Sequence, residues 1–228
     1  MAKYILKRIG LAVVTAWLVA TLTFFLMNLV PGGPFMAEKA LTPQAQAAME
    51  QKYGLDKPLG EQYIIYMDKV IHGDLGPSVK QRGRTVNTII QTKFPVSARI
   101  GGLAILLAVC IGVPLGSIAA FNRGKVIDNI IILFTTCGIA IPSFVICTVL
   151  MQILSNWLGL LPTYGLTSWK HYIMPVIALA LYPSSYIARL MRSSMLDVLG
   201  QDYMRTARAK GVSWVASVFK HALRNAIL

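Results

Sequence analysis

Arg205, Arg208 and Lys210 crowd into the stretch RTARAKG (205–211), spaced by Thr206, Ala207 and Ala209 and stopped by Gly211. Such a cationic segment could neutralise phosphates, lie on an anionic membrane surface, or insert into another protein. Little else in the chain offers chemistry. Cys110, Cys137 and Cys147 all fall in apolar runs. There they act as small hydrophobes, and no disulfide or metal spacing is present. His72, His171 and His221 lie far apart, so no metal site is expected. No phosphate loop of the form G-x-x-x-x-G-K-[ST] occurs, nor a G-x-S-x-G or H-E-x-x-H motif. Ser184 and Ser185 sit in an apolar run, where hydroxyls make interhelical hydrogen bonds more often than they act as nucleophiles. Neither a catalytic site nor a cofactor is expected.

The elements that position the basic stretch follow from composition. Of 228 residues 55% are hydrophobic and only 14% are charged, too few polar groups to cover a soluble protein of this size. The apolar residues come in long runs, which predicts an all-α, polytopic membrane protein. The net charge of +13 is distributed between those runs. A nucleic-acid-binding protein needs one contiguous basic surface, so nucleic acid is excluded as a partner.

Four runs are candidate spans: Ile9 to Val30, Ala98 to Phe121, Ile127 to Leu154, and Ile173 to Leu190. The first is too long for a cleaved signal peptide and no A-x-A site follows it before Pro31. Pro114, Pro142, Pro175 and Pro183 fall within the later runs and predict kinks. Lys3, Lys7 and Arg8 hold the N-terminus in the cytoplasm. The basic connection Asn122-Arg123-Gly124-Lys125 and the tail after residue 190 lie on the same side, whereas 155–172 carries only Lys170. The expected organisation is an N-terminal span (1–30), an extracytoplasmic helical loop domain (31–97), and a core (98–228) ending in a cytoplasmic region (191–228).

Within the loop domain, Thr42-Pro43 reads as a helix start and Gly54 as its stop. Tyr63, Tyr66, Met67, Val70 and Ile71 recur at helical spacing, as a small packed cap would. HGDLGPS (72–78) is a turn-rich connector. The span interiors hold no carboxylate, Asp128 lying at the start of the third. Proton-driven carriers usually need one, so energy is expected to come from a partner. Thr135, Thr136, Ser143, Thr148 and Gln152 could line a polar path or bind neighbouring helices. Gly112 and Gly116 form a G-x-x-x-G packing feature. Residues 193–210 read as one helix with Leu196, Leu199, Tyr203 and Ala207 roughly on one side. Gly211 then forms a left-handed stop, and Ser213 caps a second helix bearing Val215, Val218, Phe219 and Ala222. By chemistry alone this helix–elbow–helix suits a lipid surface and a soluble protein partner equally.

DYMRTARAKGVSWVASVFKHALRNAIL (202–228) resembles the cytoplasmic coupling motif of ABC importer permeases in its peptide-transporter form. The general motif is E-A-A, three residues, G, nine residues, I-x-L-P. Here Arg205 stands for the glutamate and Thr206 for the first alanine, while Ala207 and Gly211 match. His221 stands for the isoleucine, Leu223 matches, and Arg224 replaces the proline. ILKRIG (5–10), LVPGGPF (29–35), HGDLGPSVK (72–80), FPVSARIG (94–101), IPSF (141–144) and RSSMLDVLG (192–200) also look like the B-type membrane subunit of oligopeptide and dipeptide importers. The stretches 31–35 and 95–97 favour the oligopeptide type.

The resemblance implies the type I ABC importer permease fold in a bacterial or archaeal cell membrane. It implies as partners a second homologous permease subunit, two cytoplasmic ABC ATPases, an extracytoplasmic peptide-binding protein, a peptide substrate and membrane lipid. It assigns ATPase coupling to Arg205, Thr206, Ala207, Arg208, Ala209, Lys210 and Gly211, with Ala207 and Ala209 turned toward a groove on the ATPase. Family members continue past ALRNAIL with two more spans, giving six. Four are expected here, as in a piece of a longer protein or a shortened product, and transport by this chain alone is then not expected. The competing expectations are a shortened, non-transporting assembly protein and a permease for nickel or glutathione.

Overall fold

The structure, a computed structural model, describes residues 1–29, 54, 56–78, 81, 83–218 and 222–227, with Arg208, Trp214 and Val215 described in backbone only. The helix read from Thr42-Pro43 lies outside the described residues. All regular structure among the described residues is helical, apart from an isolated bridge between Pro77 and Thr85. The chain divides into two compact units, Met1–Phe94 and Pro95–Leu228.

In the first unit, α1 (Ala2–Leu29) buries none of its residues. Its 28 residues rise about 42 Å, more than a bilayer's hydrocarbon core requires. A helix apolar all round is suited to lipid. Its far end packs on the next helix. Phe24 stacks on Tyr66 of α2 (Leu59–Ile71) with ring centroids 5.5 Å apart, and Phe25 stacks on Tyr63 at 5.6 Å. Thr21 and Tyr63 share a 2.8 Å hydrogen bond. Two aromatics of the α2 stripe, Tyr63 and Tyr66, therefore pack on the end of α1. Gly73 and Gly76 take positive φ in the connector that follows. Asn87 closes it, its carboxamide accepting from Leu75 N–H and donating to Gly73 O.

The second unit is organised around α6 (Lys170–Leu199), which runs three residues earlier and nine residues later than the span expected over 173–190. Pro175 and Pro183 lie inside it without ending it, as do Pro95 and Pro114 inside α3 (Val86–Phe121). Neighbouring groups can absorb the lost backbone bonds of such prolines. Pro142 behaves differently. Ile141 before it adopts an extended backbone (φ −87°, ψ 121°), the conformation a following proline favours. The expected third span is thus two segments bent by 99°: α4 (Val126–Ala140), then α5 (Ser143–Leu150) running into a π-helical stretch, Met151–Trp157. Among the described residues, three helices (α1, α3, α6) are long and apolar enough to cross a membrane, and this bent pair is a fourth candidate.

The backbone of α6 is approached closely by small residues. A Cβ on Gly112 would fall 2.7 Å from Ser184 O and 2.8 Å from Ile187 Cβ. One on Gly116 would collide with Ala188 O, and one on Gly138 of α4 with Ser185 Oγ. Ala104, Ala108 and Ala120 extend the α3 ridge at intervals of four, and all are buried. The G-x-x-x-G pair is therefore an intramolecular seat for α6. The hydroxyls bond within their own helices rather than to neighbouring ones. Thr135 and Thr136 donate to Ile132 O, Thr148 to Phe144 O and Ser184 to Leu181 O, each within its own helix. Buried Ser185 Oγ has no partner among the described groups, because Gly138 presses against it in place of an acceptor.

Gly116→Leu should cost about 1–3 kcal/mol or more by overpacking. A melt of purified protein in detergent should show a lower midpoint, with Gly10→Leu, which meets nothing within 4 Å, as the neutral control. Ser185→Ala should leave the midpoint unchanged or raise it, since the hydroxyl removed is unpaired. A fall would reveal an interhelical bond.

Candidate coupling site

The basic stretch hangs from the end of α6. Residues 193–210 do not form the single helix expected. Glycine costs about 1 kcal/mol relative to alanine inside a helix, and α6 stops at Leu199 with Gly200 as its cap. A new helix, α7 (Asp202–Ala209), begins two residues later. The break lets the chain fold back so that Met204 (1% exposed) reaches Met191 and Met195 of α6 and Ala120 at the end of α3. Val218 and Ala222 complete this cluster, with Leu196 and Leu199 packed against it.

Burying Met204 decides which side of α7 faces outward. Arg205, Thr206, Ala209 and Lys210 are exposed, while Ala207, three positions after Met204, is half-buried. Ala209 is therefore fully available to a partner, and Ala207 only in part, being turned partly toward the core. Tyr203 is also more exposed than a core position would be, and its hydroxyl accepts from Asn225 Nδ2 of α9 (Leu223–Ile227) at 3.1 Å. Asp202 suits the positive end of the α7 dipole. Its contact with Arg205, 3.9 Å on an exposed surface, contributes little.

The helix stop is as expected from Gly211. Its φ is +79°, and Val212 N–H donates back to Ala207 O at 3.2 Å, the six-residue closure of a Schellman turn. Ser213 Oγ accepts from Ala216 N–H at 3.4 Å at the start of α8 (Trp214–Ser217). Val218 and Ala222 are buried as their apolar character implies, while Phe219 and the Val215 side chain lie outside the described residues. No group of three or more His, Cys, Asp or Glu suited to a metal occurs among the described residues.

One arrangement was missed by sequence reasoning. Asp128, in the first turn of α4, is 1% exposed and meets Arg192 of α6 in a two-pronged pair. Arg192 Nε donates to Oδ1 and Nη2 to Oδ2, both at 2.7 Å. Gly124 N–H adds a third bond to Oδ2 at 2.9 Å. Sequence alone reads Asp128 as an interfacial acid and Arg192 as one of many orientation charges. The pair exists because α6 extends past 190, carrying Arg192 alongside the turn before α4.

Comparison with known proteins fits this architecture. Residues 112–228 match the family described as binding-protein-dependent transport system inner membrane component, and residues 1–101 match its N-terminal membrane component. The chain belongs to this family. It is a multi-pass membrane permease subunit. It is 43% identical over its whole length to the dipeptide transport system permease protein DppB of Bacillus subtilis, covering 74% of that relative. Over its whole length it is also 42% identical to the oligopeptide transport system permease protein OppB of Haemophilus influenzae and 40% to that of Escherichia coli K12, covering 75% of each.

Gly211→Val tests the elbow of this permease subunit. No atom lies within 4 Å of the added Cβ, so the cost of about 1–2 kcal/mol is conformational. Limited proteolysis should cleave the valine variant faster near residue 211. Gly211→Asn, which tolerates the left-handed conformation, should be cleaved like the parent.

Proposed function

We propose that this subunit forms half of the pathway of an ATP-driven peptide importer and receives its energy through α7. The relatives' functions, dipeptide and oligopeptide transport, support peptide as cargo. In this reading it pairs with a second homologous permease, two cytoplasmic ATPases and an extracytoplasmic peptide-binding protein. The ATPases hydrolyse the nucleotide, and the subunit itself carries out no catalysis.

The observation that carries the proposal is the two-sided character of α7. On its inner side Met204 is seated among Met191, Met195 and Ala120 with Ala207 half-buried beside it, and its outward side presents Arg205, Thr206, Ala209 and Lys210. A helix anchored in this way can move as a rigid lever when a partner pushes on it. The small Ala209 allows close approach while the flanking cations address an acidic rim. The distribution of Lys and Arg supports an orientation with α7, the Gly124 turn and the N-terminus in the cytoplasm.

Ala209→Asp, made in the assembled complex, should leave insertion intact but abolish stimulation of ATP turnover by loaded binding protein. Removing Arg205, Arg208 and Lys210 together separates this from lipid anchoring, which would release the segment from anionic vesicles while leaving ATPase pull-down normal. Wild-type stimulation in Ala209→Asp would refute the assignment. Orientation is tested by single cysteines in a background lacking Cys110, Cys137 and Cys147. In intact cells an impermeant thiol reagent should label position 81 and spare position 124.

A further inference from the structure

We propose that Asp128 and Arg192 are positioning residues that clamp α4 to the base of α6, so that a push on α7 is delivered to α4; this rests on the coupling reading above. The pair joins residues 64 apart in sequence and engages both oxygens of a carboxylate that is almost wholly buried. The other ion pairs among the described residues are between exposed side chains three or four positions apart. Stability alone does not explain such a clamp, because apolar residues of similar volume hold buried sites together as well or better. A two-pronged pair instead fixes one relative position and one orientation, the use to which buried ion pairs are best suited.

Its location matters for transmission. Arg192 follows Met191 directly and precedes Met195 by one turn, and both methionines hold Met204 of α7. Methionine is unbranched and repacks readily, so this contact can yield as α7 changes its seat. The ion pair, one turn away, cannot slide without exposing or orphaning a buried charge. Gly124 N–H ties the turn between α3 and α4 into the same knot. At its other end α4 stops at the 99° bend before Pro142. α4 is thus fixed to α6 by the clamp at its start and by Gly138 against Ser185 further along, and it ends at the bend. It behaves as a rod that follows α6 and ends where the path changes direction.

The test uses the full complex of permeases, ATPases and binding protein in lipid nanodiscs. In Asp128→Asn with Arg192→Met, the amide still accepts from Gly124 N–H and the methionine fills the volume of the arginine stem. Assembly, melting midpoint and basal ATP turnover should stay near the parent's. Stimulation by loaded binding protein should fall at least about fivefold, the scale of a typical coupling free energy, and peptide uptake by the complex in vesicles should fall with it. Arg192→Lys, which keeps the charge and loses the fork, should fall between the two. Parental stimulation and uptake in the assembled double variant would overturn the proposal and leave the pair as packing. Should the double variant not assemble, Arg192→Lys decides: reduced stimulation in an intact complex supports the clamp, and parental stimulation overturns it. Ala209→Asp in the same preparation separates the two readings. If it abolishes stimulation while the clamp variants behave as the parent, α7 is a lever and only the clamp fails. If it too has no effect, the coupling reading itself fails.

Discussion

In a bilayer two helices gain nothing by hiding leucines from lipid, because lipid is as apolar as leucine. They associate where their surfaces fit closely enough to gain dispersion contacts, and in this protein the fit requires removing side chains where backbones meet. Gly112 and Gly116 on α3 and Gly138 on α4 admit the backbone or β-carbons of Ser184, Ser185, Ile187 and Ala188 on α6. Ala104, Ala108 and Ala180 continue the contact at little cost in volume. The placement of α6 depends on this close approach. If α6 were held off by the width of one side chain, Arg192 would not reach Asp128, and Met191 and Met195 would not meet Met204.

Below that seat the materials change. The middle of the bundle is built of small residues with little freedom, whereas its base combines a methionine cluster with one charged clamp. The two respond differently to force. Methionines can exchange rotamers and still fill space, and a desolvated ion pair has one good geometry. A moving helix at the base needs both kinds of contact: a compliant one where it is seated and a stiff one where its displacement is passed on. The exposed face of α7 follows from the same packing, since Met204 takes the inward position and its neighbours along the helix are left outside.

The chain shows why proline is an unreliable guide to a break. Among the described residues, Pro95, Pro114, Pro175 and Pro183 lie within continuous helices, whereas a helix ends just before Pro142. Proline removes a donor and crowds the residue before it, but whether the helix continues depends on what surrounds the freed carbonyl. At Pro142 the preceding Ile141 takes the extended conformation. Local sequence permits this at every one of these prolines.

Periodicity, composition and single-residue backbone preferences were enough to establish much of this protein. Runs of apolar residues marked the membrane helices, the Gly211 elbow and Ser213 cap were legible from residue type, and the motif spacing of 202–228 pointed to a permease of this family. Each of these depends on interactions within a few residues, or on a count of apolar side chains. Only the tertiary structure decided the rest. It ended α6 at Leu199, divided the basic stretch into its own helix, turned Ala207 partly inward, and brought Asp128 to Arg192. A charge at the edge of an apolar run looks the same whether it faces water or a partner 64 residues away. What distinguishes the two is whether another helix has the small residues to come close enough, a relation between two segments that neither contains alone.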